Sequence, residues 1–136
     1  MAVVGVARYD KYDPVSGGFR APSAIAWVEA DLAKIFAVGL DTSGNVVKGG
    51  GNTGIIGVIV LTKAKAIGEI VDVMTSGEIV GAALSDGTTG LTAGTAYYGV
   101  IASGLLSATA TANKKVGHTV EAGRLVVRVA ATGTGA

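Results

Sequence analysis

The sequence predicts an all-β domain, a small barrel or sandwich built of hairpins, with an extended arm at its N-terminus. Three observations carry that prediction. The chain has 136 residues, of which 49% are hydrophobic, and it holds 22 glycines but only 2 prolines. Such a composition suits short strands joined by tight turns and does not suit disorder, which needs low hydrophobicity and high net charge. Ser-Gly recurs between apolar, partly alternating runs, and from about residue 40 onward turn signals return every 8–12 residues.

The first thirty residues read differently from the rest. Both prolines, Pro14 and Pro22, lie there, with Tyr9, Tyr12, Phe19 and Trp27, and charges alternate through Arg8, Asp10, Lys11, Asp13 and Arg20. Hydrophobic periodicity is poor while large anchoring side chains are dense. One reading is a strand and loop packed on their own domain. The other is an arm whose aromatics and arginines anchor on another subunit, because Tyr, Trp and Arg carry interface energy disproportionately. Twenty extended residues reach roughly 65 Å, far enough to leave the domain. The expected division is an arm over 1–30, a β-domain over 31–131 and a frayed tail over 132–136.

Within the domain, "SAIAWVEADLAKIFAVG" (23–39) is ambiguous. Ser23 could cap a turn or two of helix, yet Ile25, Trp27, Val28 and Ile35 fit a strand nearly as well. Beyond it, Ser43-Gly44, Ser76-Gly77, Ser103-Gly104 and Ala122-Gly123 are candidate hairpin tips, glycine supplying the positive φ of a tight turn. Those hairpins make about eight strands. The run "IIGVIVL" (55–61) adds another, apolar on both faces and therefore central. In "RLVVRVA", Leu125, Val127 and Val129 share one face, and in "EIVDVM" Val71 and Val73 oppose Ile70, Asp72 and Met74.

The stretch "VVKGGGNTGIIG" (46–57) matches G-x-G-x-x-G through Gly49, Gly51 and Gly54, with Asp72 further on. A dinucleotide fingerprint requires a helix directly after the loop, since the pyrophosphate rests on that helix's N-terminus. Here the glycines lead into a β-branched apolar run. As a phosphate loop it also fails, because Ile55 and Ile56 stand where Lys and Ser/Thr belong. The glycines are read as a connector with close backbone approach, and no cofactor is expected.

Other chemistry is equally poorly supported. The formal net charge is +1, and the densest basic spots are the pairs Lys63 with Lys65 and Lys114 with Lys115, so nucleic acid is not the expected partner. No cysteine is present, which removes thiol chemistry and disulfides. No apolar run approaches the roughly 20 residues of a membrane span, and no signal peptide is read at the N-terminus. His118 is the single histidine and is expected on the surface or lining a barrel. No serine sits in a G-x-S-x-G elbow, and Glu69 and Glu78, from the doubled phrase "GEIV", are expected to be solvated. "GEIVDVMTSGEIV" resembles the hairpin of lipoyl and biotin carriers, but Thr75 follows Met74 where the modified lysine would stand.

The phrases "RYDKYDPVSGGFRAP" (8–22), "VGLDTSGNVVKGGGNTGIIGVIVLTKAKAIGEIVDVMTSGEIV" (38–80) and "LTAGTAYYGVIASGLLSATATANKKVGHTVEAGRLVVRV" (91–129) cover most of the chain. In them the sequence resembles the capsid decoration, or cement, proteins of tailed bacteriophages, especially those infecting actinobacteria. The resemblance implies a β-barrel or β-sandwich on the outer capsid surface of the virion, made in the host cytoplasm and typically a homotrimer. It implies binding to the major capsid protein lattice, which stabilises the expanded head, with no catalytic residue and no cofactor. Candidate contacts with capsid or sister subunit are Arg8, Tyr9, Tyr12, Phe19, Arg20 and Trp27. An alternative from another class is a receptor- or glycan-binding domain of a phage fibre or other virion appendage. That would use the Tyr97-Tyr98 pair, although adjacent strand residues point to opposite faces.

Overall fold

The computed structural model describes residues 17–81, 90–111 and 113–129. Within them lie ten strands: β1 (Gly18–Pro22), β2 (Phe36–Leu40), β3 (Val46–Lys48), β4 (Gly57–Ile59), β5 (Ile70–Met74), β6 (Ser76–Val80), β7 (Ala96–Val100), β8 (Leu106–Ser107), β9 (Asn113–Glu121) and β10 (Arg124–Arg128). They form two five-stranded sheets. Sheet I has the order β1-β5-β4-β2-β3 and sheet II the order β6-β10-β9-β7-β8. Neighbouring strands are antiparallel throughout. This is a β-sandwich, and among the described residues no ladder joins the two sheets into a closed barrel.

Three of the expected turns are hairpins. Asp41 closes the β2–β3 turn, its Oδ1 accepting hydrogen bonds from the Ser43 and Asn45 amides at 2.9 Å each. The β7–β8 turn is held by the Gly104 amide donating to the Val100 carbonyl at 2.8 Å. Glu121 pairs with Arg124 across Ala122 and Gly123. Ser76-Gly77 is different, and the expectation of a hairpin tip there is corrected. β5 and β6 lie in different sheets, and the chain turns a corner at Thr75 between them. Gly77 sits inside β6 opposite Val127. The carbonyl of Gly17 holds the corner by accepting the Thr75 and Ser76 amides, at 2.8 and 3.2 Å.

Residues 18–22 pair with β5 in register from Gly18↔Met74 to Pro22↔Ile70, so this stretch is an edge strand of sheet I. Pro22 is tolerated because it ends an edge strand, where a missing N–H costs little. The ambiguous stretch 23–39 holds a single 3₁₀ turn, Glu29–Asp31. Asp31 caps it, its carboxylate accepting the Val28 amide at 3.0 Å. Ser23 caps nothing: its hydroxyl donates to the Ile25 carbonyl at 2.7 Å and accepts the Trp27 indole N–H at 2.8 Å.

Two apolar clusters follow from this layout. Between the sheets lie Ala37, Val58, Ile79, Tyr97, Val116, Leu125 and Val127, all buried. On the opposite face of sheet I, Phe36, Val38, Ile59, Val71 and Val73 pack against Trp27 and Ala21. Strand β2 shows why: Phe36 and Val38 point to one cluster and Ala37 to the other. Sheet I is thus apolar on both faces, and β4 stands at its centre as the run 55–61 predicts. The segment between β1 and β2 forms a third layer, with Trp27 1% exposed and edge-on to Phe36 at 5.7 Å.

The glycine stretch between β3 and β4 is the connector the sequence suggests. Gly49 meets Gly104 of the β7–β8 turn backbone to backbone, where a Cβ on Gly104 would stand 2.5 Å from the Ala37 carbonyl oxygen. Around this contact the Ala37 amide donates to the Gly104 carbonyl and the Gly50 amide to the Ile101 carbonyl, both at 2.8 Å. These bonds stitch the sheets along their β3 and β8 edges.

Two measurements check this packing. Trp27→Ala, by removing the largest side chain of the outer layer, is expected to cost on the order of 3–5 kcal/mol in denaturant unfolding. Gly44 and Gly104 both have positive φ, but a Cβ at Gly44 meets nothing within 4 Å. Gly44→Ala should therefore cost about 1 kcal/mol from backbone strain alone, and Gly104→Ala distinctly more. Equal costs would show that the crossing of the two turns is loosely packed.

Candidate functional site

The sandwich is asymmetric at its two sides. Where β3 and β8 lie, backbone hydrogen bonds close it; where β1 and β6 lie, it opens. There Arg20 of β1 and Asp72 of β5 are exposed, and Met74 of β5 is half-buried. The result is an open groove of about 470 Å³, lined by Gly17, Gly18, Phe19, Arg20, Val58, Val60, Asp72, Val73, Met74 and Ile79. Its apolar floor continues the inter-sheet core, since Val58 and Ile79 belong to that cluster and Val60 and Met74 pack against it. Such concave, mainly apolar clefts with a few polar groups are where proteins take ligands or partner segments.

The polar rim is the pair Arg20 and Asp72, directly opposite in the β1–β5 register, with Nε to Oδ1 at 2.7 Å. Both side chains are more than half exposed, 58% and 75%, so the pair adds little stability and orients the two groups instead. Next to the groove, and sharing Val60 and Asp72 with it, a smaller depression is lined by Lys63, Lys65 and Ile70. Ile70, the first residue of β5, is exposed, as is Ile67 in the loop before it. This side of the molecule therefore combines exposed aliphatic and basic groups.

The six candidate contacts separate cleanly. Arg8, Tyr9 and Tyr12 lie outside the described residues. Phe19 and Arg20 both border the groove. Trp27 is buried in the outer layer of sheet I. The groove residues Val58, Val60, Met74 and Ile79 are additions that the sequence reading did not single out. Their signal was partial. The alternation of Ile70, Asp72 and Met74 against Val71 and Val73 marks a strand with one half-covered face, but only the tertiary packing makes it a groove.

Behind Trp27 sits the most tightly organised charge in the described residues. The Lys48 ammonium lies 5.1 Å from the Trp27 ring and 4.4 Å from the Phe36 ring, and 3.0 Å from Asp31 Oδ1. Cation–π attraction and the ion pair act together here, with the side chains of Lys48 and Asp31 29% and 13% exposed. Burial pulls the Asp31 carboxyl upward, but the Val28 amide, the Lys48 hydrogen bond and the charges of Lys48 and Lys34 outweigh it. The net effect holds Asp31 below its ordinary value of 3.8.

The outer face of sheet II is polar. Arg124 bridges Glu78 at 3.1 Å and Glu121 at 2.8 Å, and first its hydrogen bond to Glu78, then that residue's charge, raises the guanidinium further. Glu69 accepts the Ala66 amide within its own loop, and His118 is exposed on the outer face. Of the tyrosine pair, Tyr97 is buried with its hydroxyl accepting the Thr92 amide at 2.9 Å, while Tyr98 faces outward. The two rings cannot form one platform. Among the described residues no group of three or more His, Asp or Glu could hold a metal ion, and no helix is long and apolar enough to cross a membrane.

No protein-family model matches the chain, and no curated protein does. Among solved structures, a chain from Mycobacterium phage Patience is similar in fold. It is 21% identical, with a TM-score of 0.67, over 90% of this chain and 95% of that one.

The Asp31 arrangement predicts an acid-side stability effect. Because the folded carboxyl sits lower than the unfolded one, its contribution is full above the ordinary value of 3.8 and is lost as pH falls through the depressed folded value. Asp31→Asn should be less stable than the parent at neutral pH, and the gap should narrow as pH falls from about 4 toward 2. A gap that stays constant across that range in thermal unfolding would remove Asp31 as a source of pH dependence.

Proposed function

We propose that this protein decorates the head of a tailed bacteriophage, binding the major capsid protein lattice and stabilising the expanded capsid. The observation that supports this most is the likeness in fold, over nearly the whole chain, to a chain from a mycobacteriophage. The sequence resemblance to phage cement proteins points the same way. Under this reading the chain is not an enzyme, needs no cofactor, and works on the outer capsid surface as a homo-oligomer, most simply a trimer. Several weak contacts then act together, because each arm of an oligomer binds at high effective concentration once the first is seated.

The contact surface in this proposal is the side bearing the groove. Phe19 and Arg20 stand at its rim, and Arg8, Tyr9 and Tyr12, which precede them in the sequence, complete the candidate contacts. Arg20 with Asp72, Lys63 and Lys65 supplies polar recognition around exposed Ile67 and Ile70. The fibre-domain alternative would use the Tyr97-Tyr98 pair as an aromatic platform, and the burial of Tyr97 removes that pair from the role.

Sedimentation with expanded, undecorated heads tests the proposal. The full chain should pellet in a saturable ratio, and Arg20→Ala combined with Lys63→Ala should lower the apparent affinity at least tenfold without lowering Tm by more than a few degrees. No pelleting by the parent chain would overturn the decoration role; full pelleting by the variant would move the contact to another face.

A further inference from the structure

Strand β6 ends its sheet without the devices that normally protect an edge. We propose that it pairs with β6 of a second copy of this chain, antiparallel about a two-fold axis, joining the two copies of sheet II into one continuous sheet. A sheet edge offers unpaired backbone groups to any passing strand, and proteins guard it with very short strands, proline or lysine. Among the described strands the edges are β1, β3, β6 and β8. β3 and β8 are three and two residues long, and β1 ends in Pro22. β6 is five residues long and reads "SGEIV", with none of these devices. It also carries Val80, at 73% the most exposed large hydrophobic side chain among the described residues.

Hydrogen bonding shows which backbone groups face outward. At the two ends of the β6–β10 ladder the Gly81 amide donates to the Gly123 carbonyl at 2.9 Å and the Val129 amide to the Thr75 carbonyl at 3.0 Å. In an antiparallel pair such bonded positions alternate with unbonded ones. Gly77 and Ile79 therefore turn their backbone groups to β10, and Ser76, Glu78 and Val80 turn theirs to the free side. Ser76 bears this out, since its amide is taken by the Gly17 carbonyl at 3.2 Å. Beyond it, no described strand lies against Glu78 and Val80 on that side.

Register and charge select a second copy as the partner. Directly opposed residues in a ladder share a face, so a shift by one residue would set inward Ile79 against outward side chains. Placing Glu78 opposite its own copy sets like charges together, and it needs the Ser76 amide that Gly17 already holds. With Ile79 on the axis, each Glu78 instead faces Val80 of the second copy, and the two residues exchange both backbone bonds. Within one copy Val80 stands opposite Arg124. Glu78 thus lies in line with Arg124 of the second copy, roughly 10 Å away across two strand spacings, with only a short valine between. The two long side chains close that span, and their stems cover Val80. A foreign strand would have to supply this match, whereas a second copy carries it. The residues proposed for capsid contact, Phe19, Arg20, Lys63 and Lys65, lie on sheet I and its β4–β5 loop, so the two contacts are separate. A two-fold contact closes on two copies. It therefore coexists with a three-fold assembly as a link between neighbours, and it stands whether or not the chain binds capsids. One strand pair buries less than the roughly 1,000 Å² of a stable interface, so association in free solution is weak.

The chain has no cysteine, which permits a test of this register. Mixing a Glu78→Cys chain with a Val80→Cys chain places thiols at directly opposed positions, about 5.5 Å apart at Cα, within the reach of a disulfide. Under mild oxidation the mixture should cross-link at least ten times faster than either variant alone. Equal rates overturn the proposal. Sedimentation equilibrium of the full chain is the second measurement, and the parent should self-associate as its concentration rises from micromolar to millimolar. Val80→Pro removes an N–H that β10 does not use, so Tm should hold within a few degrees while the association constant falls at least tenfold. Where that variant loses more Tm, Val80→Lys takes its place. Unchanged association in a folded variant overturns the pairing. A parent without concentration-dependent association does so too, and leaves the edge to a strand of another protein.

Discussion

Everything in this fold depends on sheet I being apolar on both faces. Phe36, Val38, Val71 and Val73 point away from sheet II, and a two-layer sandwich would leave them in water. At about 25 cal/mol per Å² of apolar surface, such exposure is unaffordable for a domain of this size. The chain meets the constraint with a segment that forms almost no regular structure. Residues 23–35 cross the outer face, and Trp27 is their anchor. Ser23 makes that anchor single-valued, since its buried hydroxyl takes the indole N–H and ties down Ile25.

The same constraint explains where charge is tolerated inside. Lys48 leaves β3 on the outer face, between Trp27 and Phe36, and could not be accommodated there unpaired. Asp31 meets it from the 3₁₀ turn, so the turn's cap and the lysine's counter-ion are one residue. The surface pairs Arg20–Asp72 and Arg124–Glu78 have no comparable burden. They sit on exposed faces, where solvent screens them.

The two sides of the sandwich are closed differently. Along β3 and β8 the backbones approach so closely that glycines are needed, and direct hydrogen bonds join the sheets. Along β1 and β6 the strands change sheets at a corner, and a corner cannot keep both sheets in register to their ends. An apolar groove lies there, reaching in to buried Val58 and Ile79. Gly17 and Val129, the first and last of the described residues, both bond to Thr75 at this corner.

By itself the sequence determined the class of fold, the β2–β3, β7–β8 and β9–β10 turns, the central place of 55–61 and the opposite faces of Tyr97 and Tyr98. Each of these follows from a local rule: glycine at positive φ, a period of two, or an apolar run too short for a helix. Tertiary structure alone decided the rest. Ser76-Gly77 has the same residues as a hairpin tip, yet it turns a corner, because pairing of β6 with β10 and β5 with β1 satisfies more backbone than pairing with each other. Phe19, Arg20 and Trp27 looked alike as anchors on an arm. Their fates differ because β1 found an edge to pair with and Trp27 found the open face of sheet I, neither of which any stretch of nearby residues encodes.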